Sequence, residues 1–473
     1  MEHLKTLWIT FSLAPLSNAF HSVALFFIFN NMYESFFIET YGCQMNVADS
    51  ELISGMLIKE GLKPSEDIKN ADIIFVNTCA IREHAEDKVH SRLGFYNKLK
   101  KDKPEIIIGV LGCMAQNLKD SILQNKTYVD IVLGPDSYRK IIDLIQNRKK
   151  EKLRSIDTNL SRYEVYSDIL PSRNEGINAW IPIMRGCDKF CTFCIVPFTR
   201  GRERSRSLDS ILNEAIDAVD SGYKEITLLG QNVNSYKFEN IEFHDLLESI
   251  AKIKGLKRIR YTSPHPQDMS EEVINVMNDY ENICNYVHLP LQSGSNRILE
   301  RMNRTYSRER FIDLYYFIKE KLKNVGVSTD IIVGFPGESD QDFQDTISLM
   351  EEVKFDSAFT FKYSSRPGTK AANYNDNINE VEKQVRLQKV IDLQKIHSTY
   401  NNKKIIGNIE SVLVEKESKK SELKWTGRTE SNKWVAFDKK YSHVGDIVNV
   451  KINQTSGISL QGDIVTSQEM EIA

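Results

Sequence analysis

Two hydrophobic patterns alternate along the first third of this chain. From Tyr33 to about Arg148, short apolar runs rich in β-branched residues are separated by polar stretches with helical spacing. Such alternation is typical of a parallel sheet covered by helices. The apolar runs are residues 36–41, 73–77, 106–111 and 131–133. We therefore predict an open parallel α/β sheet domain over residues 33–148.

The same alternation resumes after a charged stretch without clear periodicity, residues 149–176, which we interpret as a linker. The strand candidates of this second region are residues 180–184, 226–229, 258–262, 286–291, 327–333 and 358–363. Six strands separated by helices predict a partial (β/α)6 barrel over residues 177–402. Its chemistry is expected at the carboxyl ends of the strands.

The last region, residues 403–467, changes character. Short alternating runs such as residues 410–414 and 433–437 occur there. The glycines between such runs are Gly427, Gly445, Gly457 and Gly462. This pattern predicts a small β-barrel, so the whole chain is of the α/β class with a β-barrel at its end.

Composition excludes several classes of protein. A chain of 473 residues with 41% hydrophobic and 27% charged residues is globular and long enough for two or three domains. Its net charge of -3 gives no global positive field, so contact with nucleic acid must come from local basic patches. Seven cysteines are too few for a disulfide scaffold, and their clustering suits metal ligation in a reducing compartment. We expect a cytoplasmic protein.

Residues 1–32 form a doubtful N-terminal extension. Polar residues such as Thr10, Pro15 and His21 interrupt its apolar stretch, which falls short of the roughly 20 apolar residues of a membrane span. We therefore expect no membrane association and take Met32 as the start of translation, with residues 1–31 as upstream sequence. A genuine extension is the alternative.

Three cysteines stand as Cys-x3-Cys-x2-Cys directly after the first barrel strand: Cys187, Cys191 and Cys194. Three thiolates at this spacing can hold three irons of a 4Fe-4S cluster and leave the fourth iron open. A structural zinc site is the alternative, but the second cysteine arm that such sites use is missing.

Three further cysteines each follow the end of a predicted strand: Cys43, Cys79 and Cys113. Adjacent strand ends of an open parallel sheet share one crevice, so these thiols either converge on a second cluster or are separate core cysteines. Gly42 and Gly112 would let the backbone approach such a cluster closely.

The cysteine triplet after the first strand resembles the signature of the radical-SAM superfamily. From Tyr33 onward the chain is similar to the methylthiotransferase family of that superfamily, through ETYGCQMNVADSE, NTCAIREHAEDKVHSRLG, VLGCMAQ, GCDKFCTFCIVPFTRGRERSR, LPLQSGSNRILERMNRTY, DIIVGFPGE and GRTESNKWVAF. The resemblance implies two 4Fe-4S clusters and S-adenosylmethionine as cofactors. It implies that Cys187, Cys191 and Cys194 ligate the radical-SAM cluster. It assigns an auxiliary cluster to the other three strand-end cysteines and no role to Cys284, which we expect to be a core thiol.

The implied reaction is methylthiolation of C2 of N6-isopentenyladenosine beside the anticodon of tRNA, with two molecules of S-adenosylmethionine consumed. The target base would have to leave the stacked anticodon loop. An external electron donor such as flavodoxin or ferredoxin is implied, and we expect a monomer. The alternatives are sister methylthiotransferases, acting on threonylcarbamoyl-adenosine in tRNA or on a ribosomal-protein aspartate, and a non-catalytic iron-sulfur RNA-binding protein.

Weaker candidates surround the predicted barrel mouth. Gly230, Gln231, Gly334 and His288 lie at strand ends and would shape the S-adenosylmethionine pocket, although turn or packing roles are equally compatible with their positions. Gln292, after the fourth strand, belongs to the same group.

Arginines alternate around the single acid Glu203 just past the cysteine triplet: Arg200, Arg202, Arg204 and Arg206. We predict that they contact RNA phosphates, with a solvated charged face as the alternative. The last domain carries the aromatic residues Trp425, Trp434, Phe437 and Tyr441, which are either core residues or stacking platforms for bases. The family names this region a TRAM domain and implies that it binds tRNA.

Overall fold

The computed structural model describes residues 33–79, 83–173 and 176–465, so the predicted extension over residues 1–32 lies outside the described residues. The first domain is a six-stranded sheet with the order β2-β1-β3-β4-β5-β6, in which every pair is parallel. Its strands are β1 (Ser35–Tyr41), β2 (Lys63–Pro64), β3 (Ile73–Thr78), β4 (Ile107–Gly112), β5 (Ile131–Leu133) and β6 (Ser155–Asp157).

Both faces of this sheet are covered, which is why its strands are apolar without interruption. In β3, Ile73 and Phe75 join one buried cluster, while Ile74 and Val76 join another on the opposite face. The covering helices are α1 (Gln44–Lys59), α2 (Glu83–Asp102), α3 (Cys113–Leu118), α4 (Asp120–Asn125) and α5 (Ile141–Glu151). The predicted α/β sheet domain is confirmed.

The stretch interpreted as a linker differs from that prediction. Its residues Ser155–Asp157 form β6 and extend the first sheet beside β5. Further along, Tyr166 is buried and its ring stacks on Tyr138 with the centroids 5.8 Å apart. A short polar strand and one buried tyrosine carry no periodic signal, so the sequence pattern did not indicate that this stretch packs on the first domain.

The second domain is the predicted open barrel. Its parallel strands form two groups, β13-β10-β7 and β14-β15-β16, joined by a parallel bridge between Ile259 and Ile283. The strands are β7 (Asn178–Pro182), β10 (Glu225–Leu229), β13 (Arg258–Tyr261), β14 (Tyr286–His288), β15 (Gly326–Val333) and β16 (Ser357–Lys362). Two antiparallel pairs are inserted, β8 (Met184–Arg185) with β9 (Arg204–Ser205), and β11 (Lys237–Phe238) with β12 (Ile241–Glu242).

Helices surround this barrel: α6 (Val196–Thr199), α7 (Leu208–Asp220), α8 (Phe243–Ala251), α9 (Glu271–Asp279), α10 (Asn296–Arg301), α11 (Arg308–Lys321), α12 (Asp340–Val353) and α13 (Glu380–Lys403). Serine or asparagine caps the first turn of several of them, as Ser207 does for α7 and Asn379 for α13. Within the described ranges, no helix combines the length and apolar character needed to cross a membrane.

The third domain is a closed five-stranded barrel with the order β17-β18-β19-β21-β20. Its strands are β17 (Ile409–Ser418), β18 (Ser421–Thr429), β19 (Trp434–Asp438), β20 (Ile447–Thr455) and β21 (Leu460–Ile464). Gly427 and Gly462, expected between strands, lie inside β18 and β21. A Cβ at Gly427 would be 2.1 Å from the Leu413 carbonyl oxygen, so the barrel wall is too tight there for a side chain.

The third domain docks on the amino ends of the second barrel's strands through two buried arginines of β13. Arg258 donates to the carbonyl oxygens of Arg428 and Ser411 at 2.6 and 2.9 Å. Arg260 donates to the carbonyl oxygens of Thr429 and Glu430 at 2.8 and 3.0 Å. The third domain thus covers the end of the barrel at which the strands begin. The predicted cysteines lie at the opposite end, where the strands finish.

Candidate functional site

The three cysteines of the first domain lie at one edge of its sheet. Neighbouring strands β1, β3 and β4 are in register there, with Tyr41 opposite Thr78 and Thr78 opposite Gly112. Cys43 precedes α1, Cys79 follows β3 and Cys113 begins α3. Parallel pairing therefore brings the three residues that follow these strand ends to the same crevice.

Two glycines allow the strand ends to approach each other closely. Gly42 has a φ of +130°, and a Cβ there would be 2.7 Å from the Cys79 Cβ atom. Gly112 has a φ of +87°, and a Cβ there would be 2.8 Å from the Thr78 carbonyl oxygen. Only glycine fits either position, because both the backbone conformation and the space exclude a side chain.

The thiols of this edge influence each other directly. A hydrogen bond with Cys79 is the main cause that lowers the pKa of Cys43 to about 6, and the positive charge of Arg200 acts in the same direction. The pKa of Cys113 is raised by burial, which Arg200 opposes. Cys79 and Cys113 are 2% and 4% exposed, so the group is almost closed to solvent.

Two buried asparagines form hydrogen bonds next to these cysteines. Asn46 Nδ2 donates to Asn77 Oδ1 at 3.2 Å, and Asn77 Nδ2 donates to the Asn46 carbonyl oxygen at 2.9 Å. Asn46 Oδ1 also lies 3.3 Å from the Cys43 sulfur. Sequence reasoning missed both asparagines, although they stand inside the motifs that carried the resemblance.

The second cysteine triplet lies in a loop after β8 at the barrel mouth. The amide of Cys187 donates to the Gly201 carbonyl oxygen at 3.2 Å, and that of Cys194 donates to Cys191 at 3.0 Å. Burial raises the pKa of Cys187 to about 11 and that of Cys194 to about 12. Ionised sulfur at these positions therefore needs nearby positive charge, which iron would supply if it were bound there.

A half-buried arginine contacts this second triplet. Arg304 Nη1 donates to the Cys191 sulfur at 3.3 Å, while its Nη2 and Nε bond to the Pro290 carbonyl oxygen and the Tyr306 hydroxyl, each at 3.0 Å. The sequence offered one signal for this contact, since Arg304 is the third residue from the end of the motif LPLQSGSNRILERMNRTY.

The two triplets are neighbours. Cys113 packs against Ile195, the residue next to Cys194, and Cys43 packs against Trp180 and Leu229 of the barrel. Among the described residues, no three histidine, cysteine, aspartate or glutamate side chains are arranged to share a single metal ion. A cubane cluster does not need three ligands around one ion, because each of the three cysteine thiolates binds a different iron atom. Both donor sets are compatible with that requirement.

The prediction that four loop arginines contact RNA is wrong for three of them. Their guanidinium groups are buried and pair with carboxylates: Arg200 with Asp49 at 2.8 Å, Arg204 with Asp136 at 2.8 Å and Arg206 with Glu214 at 2.6 Å. Arg202 alone of the four points outward, with 68% of its side chain exposed. It pairs with Asp188 at 2.6 Å and lies over the Phe190 ring.

The candidates for the S-adenosylmethionine pocket have specific contacts. Gln231 Oε1 accepts from the Gly186 amide at 2.7 Å, directly before Cys187. His288 Nδ1 lies 2.8 Å from the Ser328 hydroxyl, and His288 Nε2 lies 3.3 Å from an Asp330 carboxylate oxygen.

The glycine and glutamine candidates have structural reasons for their residue types. A Cβ at Gly334 would be 2.4 Å from Lys383 Cγ, and one at Gly230 would be 2.8 Å from Met184 Cγ. Gln292 has a φ of +71°, and its backbone amide donates to the Asp330 carbonyl oxygen at 2.7 Å. Such packing explains these residues but assigns them no ligand.

Other predicted residues divide between core and surface. Cys284 is 2% exposed, as expected of a core thiol. Phe437 belongs to the core of the third domain, and Trp425 Nε1 donates to the Ser442 carbonyl oxygen at 2.9 Å. Trp434 and Tyr441 are 37% and 63% exposed. Of the four predicted aromatic residues of this domain, Trp434 and Tyr441 are therefore the most exposed.

Family models match all three domains. Residues 35–134 match the uncharacterized protein family UPF0004, residues 181–350 the radical SAM superfamily and residues 403–465 the TRAM domain. Among solved structures, the fold is similar to the radical S-adenosylmethionine methyltransferase TsrM from Kitasatospora setae, with a TM-score of 0.55, 14% identity, and coverage of 72% of this chain and 77% of that one. The cobalamin-dependent S-adenosylmethionine radical enzyme OxsB gives a TM-score of 0.52 at 13% identity, covering 78% of this chain and 56% of that one.

Relatives with much higher identity carry one name. A tRNA-2-methylthio-N(6)-dimethylallyladenosine synthase from Christiangramia forsetii is 47% identical over 90% of this chain and 93% of its own length. One from Parabacteroides distasonis is 48% identical over 91% of this chain and 95% of its own length. The match covers nearly the full length of both proteins in each case. The chain therefore belongs to the tRNA-2-methylthio-N(6)-dimethylallyladenosine synthases, radical-SAM enzymes that methylthiolate isopentenyladenosine in tRNA and depend on S-adenosylmethionine and 4Fe-4S clusters.

Proposed function

We propose that the two cysteine triplets hold two separate 4Fe-4S clusters. Cys187, Cys191 and Cys194 would ligate the radical-SAM cluster. Cys43, Cys79 and Cys113 would ligate the auxiliary cluster. The observation that carries this assignment is the packing of Cys113 against Ile195, because it makes the two donor sets neighbours at one barrel mouth. A sulfur donor and a radical source must both reach the same adenine, so they have to be neighbours.

When bound, the clusters would supply the reductive cleavage of S-adenosylmethionine and the sulfur that is methylated and transferred to C2. The chain's own residues position and shield these groups. Arg304 fixes the Cys191 sulfur, and the paired amides of Asn46 and Asn77 hold the backbone beside Cys43. Burial of Cys79 and Cys113 excludes water from the sulfur-donating side.

The pocket for S-adenosylmethionine is proposed to lie beside the Cys187 loop. Gln231 is the best supported candidate, because its side chain holds the Gly186 amide next to the first cysteine of the triplet. Gly230, Gly334 and His288 complete the proposed pocket from the neighbouring strand ends. His288 is partly exposed and hydrogen-bonded to Ser328, so its ring is held in a fixed orientation.

Contact with tRNA is proposed at the exposed members of two predicted groups. Arg202 offers one outward charge beside the cysteine loop. In the third domain Trp434 and Tyr441 are accessible, and Lys416 Nζ lies 4.7 Å from the Trp434 ring centroid. An aromatic face with a nearby cation suits base stacking and phosphate neutralisation together. An external reductant such as flavodoxin or ferredoxin, a monomeric state and a cytoplasmic location complete the proposal.

Counting iron tests the ligand assignment. Anaerobically reconstituted protein should hold about eight irons, and replacing Cys187, Cys191 and Cys194 together by alanine should leave about four, since each cubane contains four. The matched variant, Cys79→Ala, should still cleave S-adenosylmethionine reductively but transfer no methylthio group. Cys284→Ala is the control and should leave the iron content unchanged. An unchanged iron content in the triple variant would overturn the assignment.

A further inference from the structure

Arg200 lies on the short segment that joins the two cysteine sites. The segment starts at Cys194, continues through Ile195, which packs on Cys113, and passes through α6. The Arg200 amide donates to the Val196 carbonyl oxygen at 2.8 Å, which fixes the backbone at the end of this helix. The side chain leaves from there into the interface between the first domain and the barrel, where it is 3% exposed.

One carboxylate anchors two guanidinium groups in this interface. Asp49 Oδ2 accepts from Arg200 Nη2 at 2.8 Å, and Asp49 Oδ1 accepts from Arg185 Nη2 at 2.7 Å. Asp49 is completely buried. Two positive charges thus share one negative charge, and the local excess of positive charge lies beside the sulfur atoms of the first domain.

The other terminal nitrogen of Arg200, Nη1, is buried and has no hydrogen-bond partner among the described residues. Leaving a buried donor unsatisfied costs free energy, so such an atom indicates an acceptor that the protein atoms do not provide. By contrast, Arg204, four residues later in the same loop, donates to Asp136, to the Ser161 and Glu164 carbonyl oxygens and to Arg200 itself.

The sulfur atoms of Cys113 and Cys43 are close enough to Arg200 to influence its charge. After Asp49, Cys113 and Cys43 are the strongest influences that raise the pKa of Arg200 against the effect of burial. Arg200 in turn opposes the raised pKa of Cys113. Asp49, which holds Arg200, lies on the helix α1 that begins after Cys43, and Ile195 of the Arg200 segment packs on Cys113, so the guanidinium lies beside the crevice where the three strand-end cysteines meet.

We propose that Arg200 is a positioning residue of the auxiliary cluster: with Nη2 held by Asp49, its Nη1 donates a hydrogen bond to sulfur at the site of Cys43, Cys79 and Cys113. This rests on the ligand assignment proposed above. A cationic donor at sulfur stabilises the added negative charge of the reduced cluster, so Arg200 raises its reduction potential. The same contact places the excess positive charge of the group formed by Arg185, Asp49 and Arg200 next to the negative charge of the cysteine thiolates.

The auxiliary cluster can be measured alone in the full chain that carries alanine at Cys187, Cys191 and Cys194. In that background, Arg200→Gln should shift the midpoint potential of the remaining cluster to a more negative value, followed by electron paramagnetic resonance. It should also remove an exchangeable-proton coupling to the cluster, visible by electron-nuclear double resonance after transfer to heavy water. Arg200→Lys keeps the charge and should restore part of the potential.

Arg204→Lys is the matched control, because it alters a neighbouring buried arginine whose donors are already bonded to oxygen. It should leave both the potential and the proton coupling unchanged. Wild-type potential and coupling in Arg200→Gln would overturn the proposal. Loss of iron from Arg200→Gln with an unchanged circular dichroism spectrum would support it, since the contact is then needed to retain the cluster. An alanine background that holds no iron even with Arg200 present would instead refute the ligand assignment.

Discussion

Buried arginines hold both domain interfaces of this protein, but they are used differently at the two. At the junction of the barrel with the third domain, Arg260 bonds through all three of its nitrogens to oxygen, namely to Glu225, Thr429 and Glu430. At the junction with the first domain, Arg185 and Arg200 share Asp49, and each keeps an Nη1 atom without a partner in the described structure.

The difference follows from what lies beside each interface. Backbone carbonyls of the third domain accept from both Nη atoms of Arg258 and of Arg260, so this junction is a docking surface, and Arg258 Nε is the β13 guanidinium atom left without a partner among the described residues. The junction with the first domain borders the cysteines, and the unused donor of Arg200 lies beside the place where negatively charged sulfur is expected. The terminal Nη donors therefore distinguish the two junctions: those of Arg258 and Arg260 are all bonded at the docking interface, whereas Nη1 of Arg185 and of Arg200 is not bonded at the functional one.

The largest effect is expected from Asp49→Ala. This change leaves two buried guanidinium groups without their shared carboxylate, and breaking a buried pair in this way costs about 3–5 kcal/mol. The free energy of unfolding of the first domain should fall by that amount in chemical denaturation, and iron should be lost. Asp188→Ala is the control, because its exposed pair with Arg202 should contribute only about 0–1 kcal/mol. Equal stability of the two variants would show that the buried triad is not what joins these domains.

A smaller effect is expected from Glu225→Gln at the docking interface. Glu225 is fully buried and accepts from Arg260 and Arg428 at 2.8 and 2.9 Å. Its replacement should cost about 1–3 kcal/mol of docking free energy. We expect faster proteolysis between α13 and β17 and weaker tRNA binding. Iron content and reductive cleavage of S-adenosylmethionine should be unaffected, and a loss of iron would contradict the separation of the two interfaces.

The pH dependence of docking has a definite sign. Burial alone would raise the pKa of Glu225, but Arg260 and Arg428 outweigh it and the pKa is lowered. Its contribution to stability is therefore complete above the ordinary pKa of a glutamate and is lost as the pH falls toward the lowered value. Protease resistance of the wild-type junction should decline in that acidic window. Glu225→Gln should remove this part of the dependence.

The smallest effect is expected from Arg202→Ala, which lies at neither interface. If this exposed guanidinium contacts one phosphate, the change should weaken all tRNA substrates alike. It should lower the slope of log affinity against log salt by about 0.7–0.9. Filter binding over a range of salt concentrations measures the slope, with Lys237→Ala as a control for loss of an exposed charge on the barrel. An unchanged slope would leave RNA recognition to the third domain.

Much of the fold was predictable because burial on both faces produces continuous apolar runs. The predicted strand at residues 131–133 matches β5, and residues 73–77 and 106–111 differ from β3 and β4 by one residue at an end or at both ends. The short polar strand β6 escaped prediction, since its residues are only half-buried at the sheet edge. The strand-end positions of Cys43, Cys79 and Cys113 followed from the same periodicity, but their contact depended on parallel pairing of β1, β3 and β4.

The loop arginines show the limit of sequence reasoning. Arg200, Arg202, Arg204 and Arg206 form a regular alternation in the sequence, and nothing in their spacing separates one from another. Three are buried because carboxylates meet them when the chain packs: Asp49 and Asp136 come from the distant first domain, and Glu214 comes from the following helix α7.

The sequence by itself thus determined the three-domain α/β architecture, the cysteine triplets and the family, since these depend on local periodicity and on spacing along the chain. The tertiary structure alone decided which arginine faces solvent, which faces sulfur and which joins two domains. The physical reason is that a guanidinium takes its role from the acceptors around it, and those acceptors come from parts of the chain that only folding brings together.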